Sequence, residues 1–365
     1  MMVPDYEHSI LNVTASILTH YKASTPYKVI PSLMDSLTGK KHVVLILLDG
    51  MGINVLYKHL FKDAFLFKHL KETITSVFPT TTVAATTSVL SGLPPYASGH
   101  VGWVQYFIKE DQHVAIFPNE HFYDRSCPIL FNYRDKYLKY HSIYEHIKRA
   151  SPHVSLHELF PNFREDGYAS FKDQINKVIE NTHKKEETFS YVYWTEPDAT
   201  EHLYGIEAYA TRKVLEELDQ EVERLAFFSA RQTAIIVIAD HGLIDVTGIP
   251  LDTNEILMNM MRKKPSIESR ATTYYVKKHL LNAFKEQFNM DYGKYFTLLS
   301  KEELYNSKLL GEGKKHKMLD QFIGDFISIA TDKYMMMLNN DRPFLAHHAG
   351  LTKDELEVPL IIFTK

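Results

Sequence analysis

The chain has 365 residues, 45% hydrophobic and 24% charged, an ordinary composition for a globular enzyme with a large core, and nothing in it suggests disorder. Its 41 Lys and Arg against 45 Asp and Glu give a formal net charge of −4, so no broad cationic face is available for a nucleic-acid backbone. A single cysteine, Cys127, excludes an intramolecular disulfide and a cysteine-rich zinc site, which leaves Asp and His to hold any metal.

The opening MMVPDYEHSI carries acidic residues early and lacks a basic start followed by an apolar region, so no signal peptide is expected. No stretch approaches the roughly 18 apolar residues of a membrane span, and a cytoplasmic location without a membrane partner is the default expectation. Residues 8–24 read as an amphipathic helix and Pro31–Leu37 as a short segment leading into the first strand. That strand is the apolar run HVVLILLDGMG, His42 to Gly52, which stops at Asp49 with Gly50 and Gly52 close behind. A fully buried parallel strand delivers one carboxylate to a sheet edge in this way.

After Gly52 a helix is expected to about His59. In the segment from Thr75 to Trp103, Pro79 breaks the chain and Val83–Leu90 forms a helix ending near Gly92. Thr80, Thr81 and Thr82 then sit at a helix N-terminus, whose unpaired N–H groups and positive dipole end suit a phosphate or an alkoxide. Residues 104–188 read as aromatic-rich strands and loops, a helix from Tyr144 and a charged helix around Phe171–Lys185. The strand Phe189–Trp194 terminates in TEPDATEHLYG, where Asp198 and His202, four apart, share one side of a helical turn. Val214, Leu215, Leu218, Val222 and Leu225 mark an amphipathic helix, and TAIIVIADHGLID repeats the design of the first strand, ending in Asp240 and His241.

Between about Leu251 and Pro343 strands and helices alternate as ATTYYVKK, 279–288, YFTLL, SKEEL and FISIAT, with a loop GEGKKHK before the last. The final stretch HHAGLTKDELEVPLIIF returns to the core pattern after the pair His347 and His348. The expected architecture is an α/β fold, a central mostly parallel sheet sandwiched by helices, with a catalytic core of 1–250 and 344–365 and an inserted α+β cap at 251–343. No repeat interrupts it.

Each candidate has a bland role when taken singly. Asp49 before glycine reads as a turn carboxylate, a threonine at a helix start as an N-cap, and any one of 19 histidines as a loop or core residue. Two buried strands ending in ligand residues point instead to a metal centre at the carboxyl end of a parallel sheet. Three carboxylates, three imidazoles and a hydroxyl are what two-metal phosphoryl transfer requires, and a mixed N/O set suits zinc, with manganese or iron as alternatives.

LLDGMG, FPTTTVAATTSVLSG, EPDATEH, ADHG and HHAGLT, in this order, resemble the alkaline phosphatase superfamily, and look most like the bacterial type of its nucleotide pyrophosphatase/phosphodiesterase branch. The resemblance runs from about residue 42 to the C-terminus, outside the insertion, and implies an alkaline-phosphatase-like fold. It implies that Asp49, Asp240 and His241 ligate the metal that activates the nucleophile, and that Asp198, His202 and His348 ligate a second. The nucleophile falls on Thr82, itself a ligand, by the spacing to Ser91 and Gly92, with Thr81 as the neighbouring alternative. His348 is preferred to His347 because Ala349, Gly350, Leu351 and Thr352 follow it as family members read at this point.

One departure bears on substrate. The Asn that grips a phosphate oxygen in many family phosphodiesterases would fall near Trp103, and GHVGW holds none. The resemblance implies a phosphodiesterase or nucleotide pyrophosphatase with a small phosphorylated substrate, a nucleotide among the candidates, and a phospho-threonine intermediate. The alternatives are a phosphomonoesterase or phosphonate-cleaving member and, in another class, a non-catalytic metal-stabilised protein that binds a phosphorylated ligand. Trp103, Tyr193 and Trp194 are candidate pocket walls. Oligomeric state has no sequence signal.

Overall fold

The computed structural model describes residues 2–338 and 344–365, and the end expected for the cap, Pro343, lies outside them. Two sheets organise the chain. Strands β1 (His42–Leu48) and β2 (Leu70–Thr75) open the first, while β3 (Val104–Phe107), β4 (Gln112–Ala115) and β5 (Glu120–His121) belong to the second. The chain returns to the first sheet with β6 (Ser155–Leu159), β7 (Thr188–Trp194) and β8 (Thr233–Ile238). It completes the second with β9 (Met261–Ile267), β10 (Ala271–Val276), β11 (Phe296–Ser300) and β12 (Phe326–Ala330), and β13 (Glu357–Thr364) closes the first.

In the first sheet the order among the described residues is β2-β13-β8-β1-β7-β6. The run from β8 to β6 is parallel, and β13 lies antiparallel to both of its neighbours. Every residue of β1 and β8 is buried, which is why both strands read as unbroken apolar runs without alternation. The helices that cover such a sheet show their buried stripe in the sequence. Tyr209–Phe228, which connects β7 to β8, buries Leu215, Leu218, Val222 and Leu225 and packs on Phe171–Thr182. A separate group, Ile10–His20, Pro31–Leu37, Thr82–Ser91 and Ile143–Ala150, is held together by the first of these helices and joins the same core.

The second sheet is antiparallel throughout, in the order β11-β12-β10-β9-β3-β4-β5. The strands expected of a 251–343 cap are therefore joined by residues 104–121, through Ile267 opposite Val104. The joint is aromatic: Phe107 packs against Tyr133 and Phe322 with ring centroids 4.5 and 5.3 Å apart. Pro31–Leu37, read as a connecting segment, forms a helix with Pro at its first position, where the missing N–H costs nothing. No helix among the described residues is long and apolar enough to cross a membrane.

Candidate metal centre

Three neighbouring parallel strands stop at the same edge of the first sheet. Leu48 lies opposite Trp194 and Leu47 opposite Ile238, so β1, β7 and β8 release their chains side by side, at Asp49, at the turn leading to Asp198, and at Asp240 and His241. The Asp49 N–H donates to the Trp194 carbonyl at 3.0 Å and the Asp198 N–H to the Asp49 carbonyl at 3.0 Å, which stitches the two exits together. Gly50 makes this approach possible: its φ is +77°, and a Cβ there would lie 2.8 Å from the Asp198 Cβ.

The ligand candidates fall into two groups, Asp49 with Asp240 and His241, and Asp198 with His202 and His348, and within each the offered donor atoms lie within 4.8 Å of one another. The groups touch, because the His241 and His348 rings stack with centroids 3.9 Å apart. Each imidazole is oriented by a main-chain carbonyl at Nδ1: Gly242 for His241 at 3.3 Å, Ala346 for His202 at 2.7 Å and Thr80 for His348 at 3.1 Å. A carbonyl only accepts, so Nδ1 carries the proton in all three and the Nε2 lone pair is left for a cation.

The fit to cations also shows in the oxygens left over. Asp240 Oδ1 accepts the Gly50 and His241 N–H groups at 3.1 and 3.0 Å, while Asp240 Oδ2 and Asp198 Oδ1 are buried without a hydrogen-bond partner among the described residues. A buried, unpaired carboxylate is expensive unless a cation completes it. The same cost moves the titrations. Burial, then the charges of Asp240 and Asp198, hold the Asp49 carboxyl well above its usual range, and burial followed by Glu196 lifts Asp198 to about 8. Burial pushes the imidazoles the other way, His202 down to about 4 and His348 well below its ordinary value.

The three threonines diverge. Thr80 Oγ1 donates to the Gly350 carbonyl at 2.9 Å and accepts the Ala349 N–H at 3.1 Å, which ties the helix start to the loop after His348. Thr81, the N-cap residue, donates to Glu268 Oε1 at 2.6 Å. Thr82 faces the first group, its Oγ1 lying 3.4 Å from Asp49 Oδ1 and 3.2 Å from His241 Nε2. It opens the helix Thr82–Ser91, whose N-terminus carries no side-chain cap.

Of the aromatic residues considered for a pocket wall, Tyr193 is buried and its hydroxyl donates to Asp49 Oδ2, so it orients a ligand candidate. Trp194 is partly buried against Phe171, with centroids 6.0 Å apart. Trp103 is 37% exposed, packs on Phe117 and gives its main-chain N–H to Glu268 Oε1 at 2.6 Å. His347 belongs to neither group, and its Nδ1 accepts the His348 N–H at 2.8 Å. No sequence pattern marks Glu268, a buried carboxylate between β9 and β10 that reaches Thr81 across 187 positions.

Residues 43–351 match the family of type I phosphodiesterases and nucleotide pyrophosphatases. Among solved structures the chain is similar to human ectonucleotide pyrophosphatase/phosphodiesterase 5, at 18% identity and a TM-score of 0.68, over 88% of this chain and 87% of that one. An inactive variant of the murine counterpart in complex with AMP matches over the same shares at 18% identity, with a TM-score of 0.67. Phosphonoacetate hydrolase from Sinorhizobium meliloti in complex with phosphonoformate matches at 16% identity and a TM-score of 0.63, over 89% of this chain and 90% of that one.

Proposed function

As a member of the type I phosphodiesterase / nucleotide pyrophosphatase family, the chain is a phosphoester hydrolase by descent, and we propose that it cleaves phosphodiesters of small molecules with Thr82 as nucleophile at a centre of two divalent ions. The observation that carries this reading is the Thr82 hydroxyl, 3.4 and 3.2 Å from two of the three donors of the first group. Asp49, Asp240 and His241 would hold one ion, and Asp198, His202 and His348 the other. Two such ions, zinc by the donor chemistry, lower the pKa of a bound hydroxyl or water and neutralise charge on the attacking and leaving oxygens.

The chain's own groups then perform two in-line displacements. Thr82 Oγ attacks phosphorus as its proton passes to solvent, and the P–O bond to the ester oxygen breaks, that oxygen taking a proton from water to leave as the alcohol. Water then attacks the phospho-threonine, its P–Oγ bond breaks, and Thr82 Oγ regains a proton. Tyr193 keeps Asp49 oriented throughout through its hydroxyl. Free N–H groups in the first turn of Thr82–Ser91 are placed to receive a non-bridging oxygen. AMP in the murine relative and phosphonoformate in the bacterial one support a small phosphorylated or phosphonate ligand for this chain too. The cytoplasmic location and the division into a core and a cap belong to the same proposal, with 104–121 counted in the cap because they share its sheet.

The test is hydrolysis of bis-p-nitrophenyl phosphate by the zinc-reconstituted protein, with a chelated control and the variants Thr82→Ala and Thr81→Ala. Thr82→Ala is expected to keep its zinc and lose at least about a thousand-fold in kcat, while Thr81→Ala keeps most of it. Full activity in Thr82→Ala refutes the nucleophile, and a loss confined to Thr81→Ala moves the role by one residue. A zinc-loaded protein that binds phosphate but turns over no ester supports the non-catalytic binding alternative.

A further inference from the structure

Glu268 is a buried carboxylate next to this centre that the reaction above leaves without a role. It is 5% exposed and lies at the turn from β9 to β10 in the second sheet. Its Oε1 takes two hydrogen bonds, from the Thr81 hydroxyl and the Trp103 N–H, each at 2.6 Å, while Oε2 takes none from a described residue. Gly102 lets it approach: a Cβ at Gly102 would lie 3.2 Å from the Glu268 Cγ and 2.5 Å from Ile267. The carboxylate is therefore fixed against the residue that precedes Thr82, and it is close enough to Asp198 for that charge to raise its own titration.

Charge decides what such a group does. Asp49, Asp198 and Asp240 supply three negative charges to the two ligand groups, and Glu268, when ionised, adds a fourth beside them. The buried Arg270 is paired with Glu355 and is therefore not available to the four. Where carboxylates already offset two divalent ions, a second charge on phosphorus is drawn in less strongly, and a carboxylate fixed beside the centre repels it. A phosphomonoester is close to a dianion at neutral pH, whereas a diester carries one charge.

We propose, on the footing of the two-ion reading above, that Glu268 is a specificity-determining residue whose fixed carboxylate disfavours phosphomonoester dianions and so directs the centre to monoanionic phosphodiesters. Its Oε2 also offers an acceptor to a hydroxyl or amine of the departing group, which a phosphoryl oxygen cannot use. Burial strengthens the discrimination, because the repulsion is screened less there than at the surface. Thr81 and the Trp103 N–H hold the carboxylate in place, so the substrate does not have to order it.

The test compares the zinc-reconstituted wild type with Glu268→Gln, which keeps the shape and an oxygen for Thr81 and Trp103 but removes the charge. For the ratio of kcat/KM between p-nitrophenyl phosphate and bis-p-nitrophenyl phosphate, Glu268→Gln is expected to move it about ten-fold toward the monoester, the size of one partly screened charge–charge interaction. Equilibrium binding gives a readout independent of turnover. In a Thr82→Ala background, Glu268→Gln should tighten the Kd for inorganic phosphate several-fold more than that for dimethyl phosphate, which carries a single charge and so gains less. An unchanged ratio, or equal losses on both substrates, overturns the proposal and reduces Glu268 to a structural brace. Glu268→Ala, checked by its melting temperature, serves if the glutamine variant does not fold. If the wild type turns over neither ester, the hydrolase reading fails, and the two Kd values still decide the charge role of Glu268.

Discussion

Arg270 and Glu355 meet as a two-pronged ion pair, Nε to Oε1 at 2.7 Å and Nη2 to Oε2 at 2.9 Å, with neither side chain exposed. Arg270 follows β9 in the second sheet and also donates to the carbonyls of Asp332 and Tyr334. Glu355 accepts the Gly350 N–H at 2.7 Å and both the N–H and the hydroxyl of Thr352. The pair thus fixes the loop that leaves His348 to the lobe that carries Glu268.

Removing one partner leaves the other buried and charged. Arg270→Met or Glu355→Gln should destabilise the protein by about 3–5 kcal/mol, and the Arg270→Met/Glu355→Met pair by less than the sum of the single variants. Denaturant melts of the three variants measure this. Strict additivity would show that the two side chains do not act as a unit.

Tyr193→Phe deletes the hydroxyl that donates to Asp49 and keeps the ring, which packs on Phe160 with centroids 5.4 Å apart. Affinity for the ion at the first group should fall about 10- to 100-fold, with little change at the second. Zinc titration against a competing chelator resolves the two, and equal weakening of both would deny the hydroxyl a local orienting role.

Gly242 follows His241, and a Cβ there would lie 2.1 Å from the Asp354 carbonyl oxygen and 3.0 Å from the Gly52 Cα. Both neighbours are main chain and cannot turn aside. Gly242→Ala should therefore displace the Asp240–His241 exit, lowering the melting temperature and the zinc stoichiometry from two toward one; elemental analysis of a folded variant that retains both ions would contradict this.

The metal-free protein should lose stability as pH rises. Burial raises Asp198 to about 8 and Glu268 to about 7 from ordinary values of 3.8 and 4.5, so the folded state keeps protons that the unfolded chain releases. The stability tied to these groups is full below their unfolded values and is lost as pH climbs through the folded ones. His202, lowered to about 4 from 6.5, works in the opposite sense, but its contribution is complete above 6.5. From about pH 6.5 to 8.5 the carboxylates alone act, and melting temperature should fall by several degrees without metal and stay level with zinc. A flat metal-free profile would mean that these carboxyls are already ionised.

What the sequence makes legible is where strands end. β1 and β8 are apolar on both faces, so their runs stop visibly at Asp49 and at Asp240 and His241, and the four-residue step from Asp198 to His202 announces its own helical turn. The contact between the two groups, by contrast, depends on the register that sets Leu48 against Trp194 and on a Gly50 that admits Asp198. Glu268 had no local pattern to betray it, because its bonds to Thr81 and Trp103 span 187 and 165 positions. Strands β3 and β4 have four residues each and β5 two, too short for a period to separate them from loop. Residues 104–121 consequently read only as part of a stretch of aromatic-rich strands and loops, with nothing to assign them to the second sheet.

The place of β13 also governs the order in which the chain can assemble. It inserts between β2 and β8, and it is the strand through which β2 joins the first sheet. On the ribosome, β1, β7 and β8 can pair once residue 238 has emerged, while β2 waits with an unpaired edge until residues 357–364 follow. β3 to β5 wait likewise for β9. Both late closures join segments far apart in the chain, the kind of pairing that slows folding and leaves edges open to aggregation. Nascent chains stalled before residue 357 should therefore be the species that a cell's chaperones hold longest.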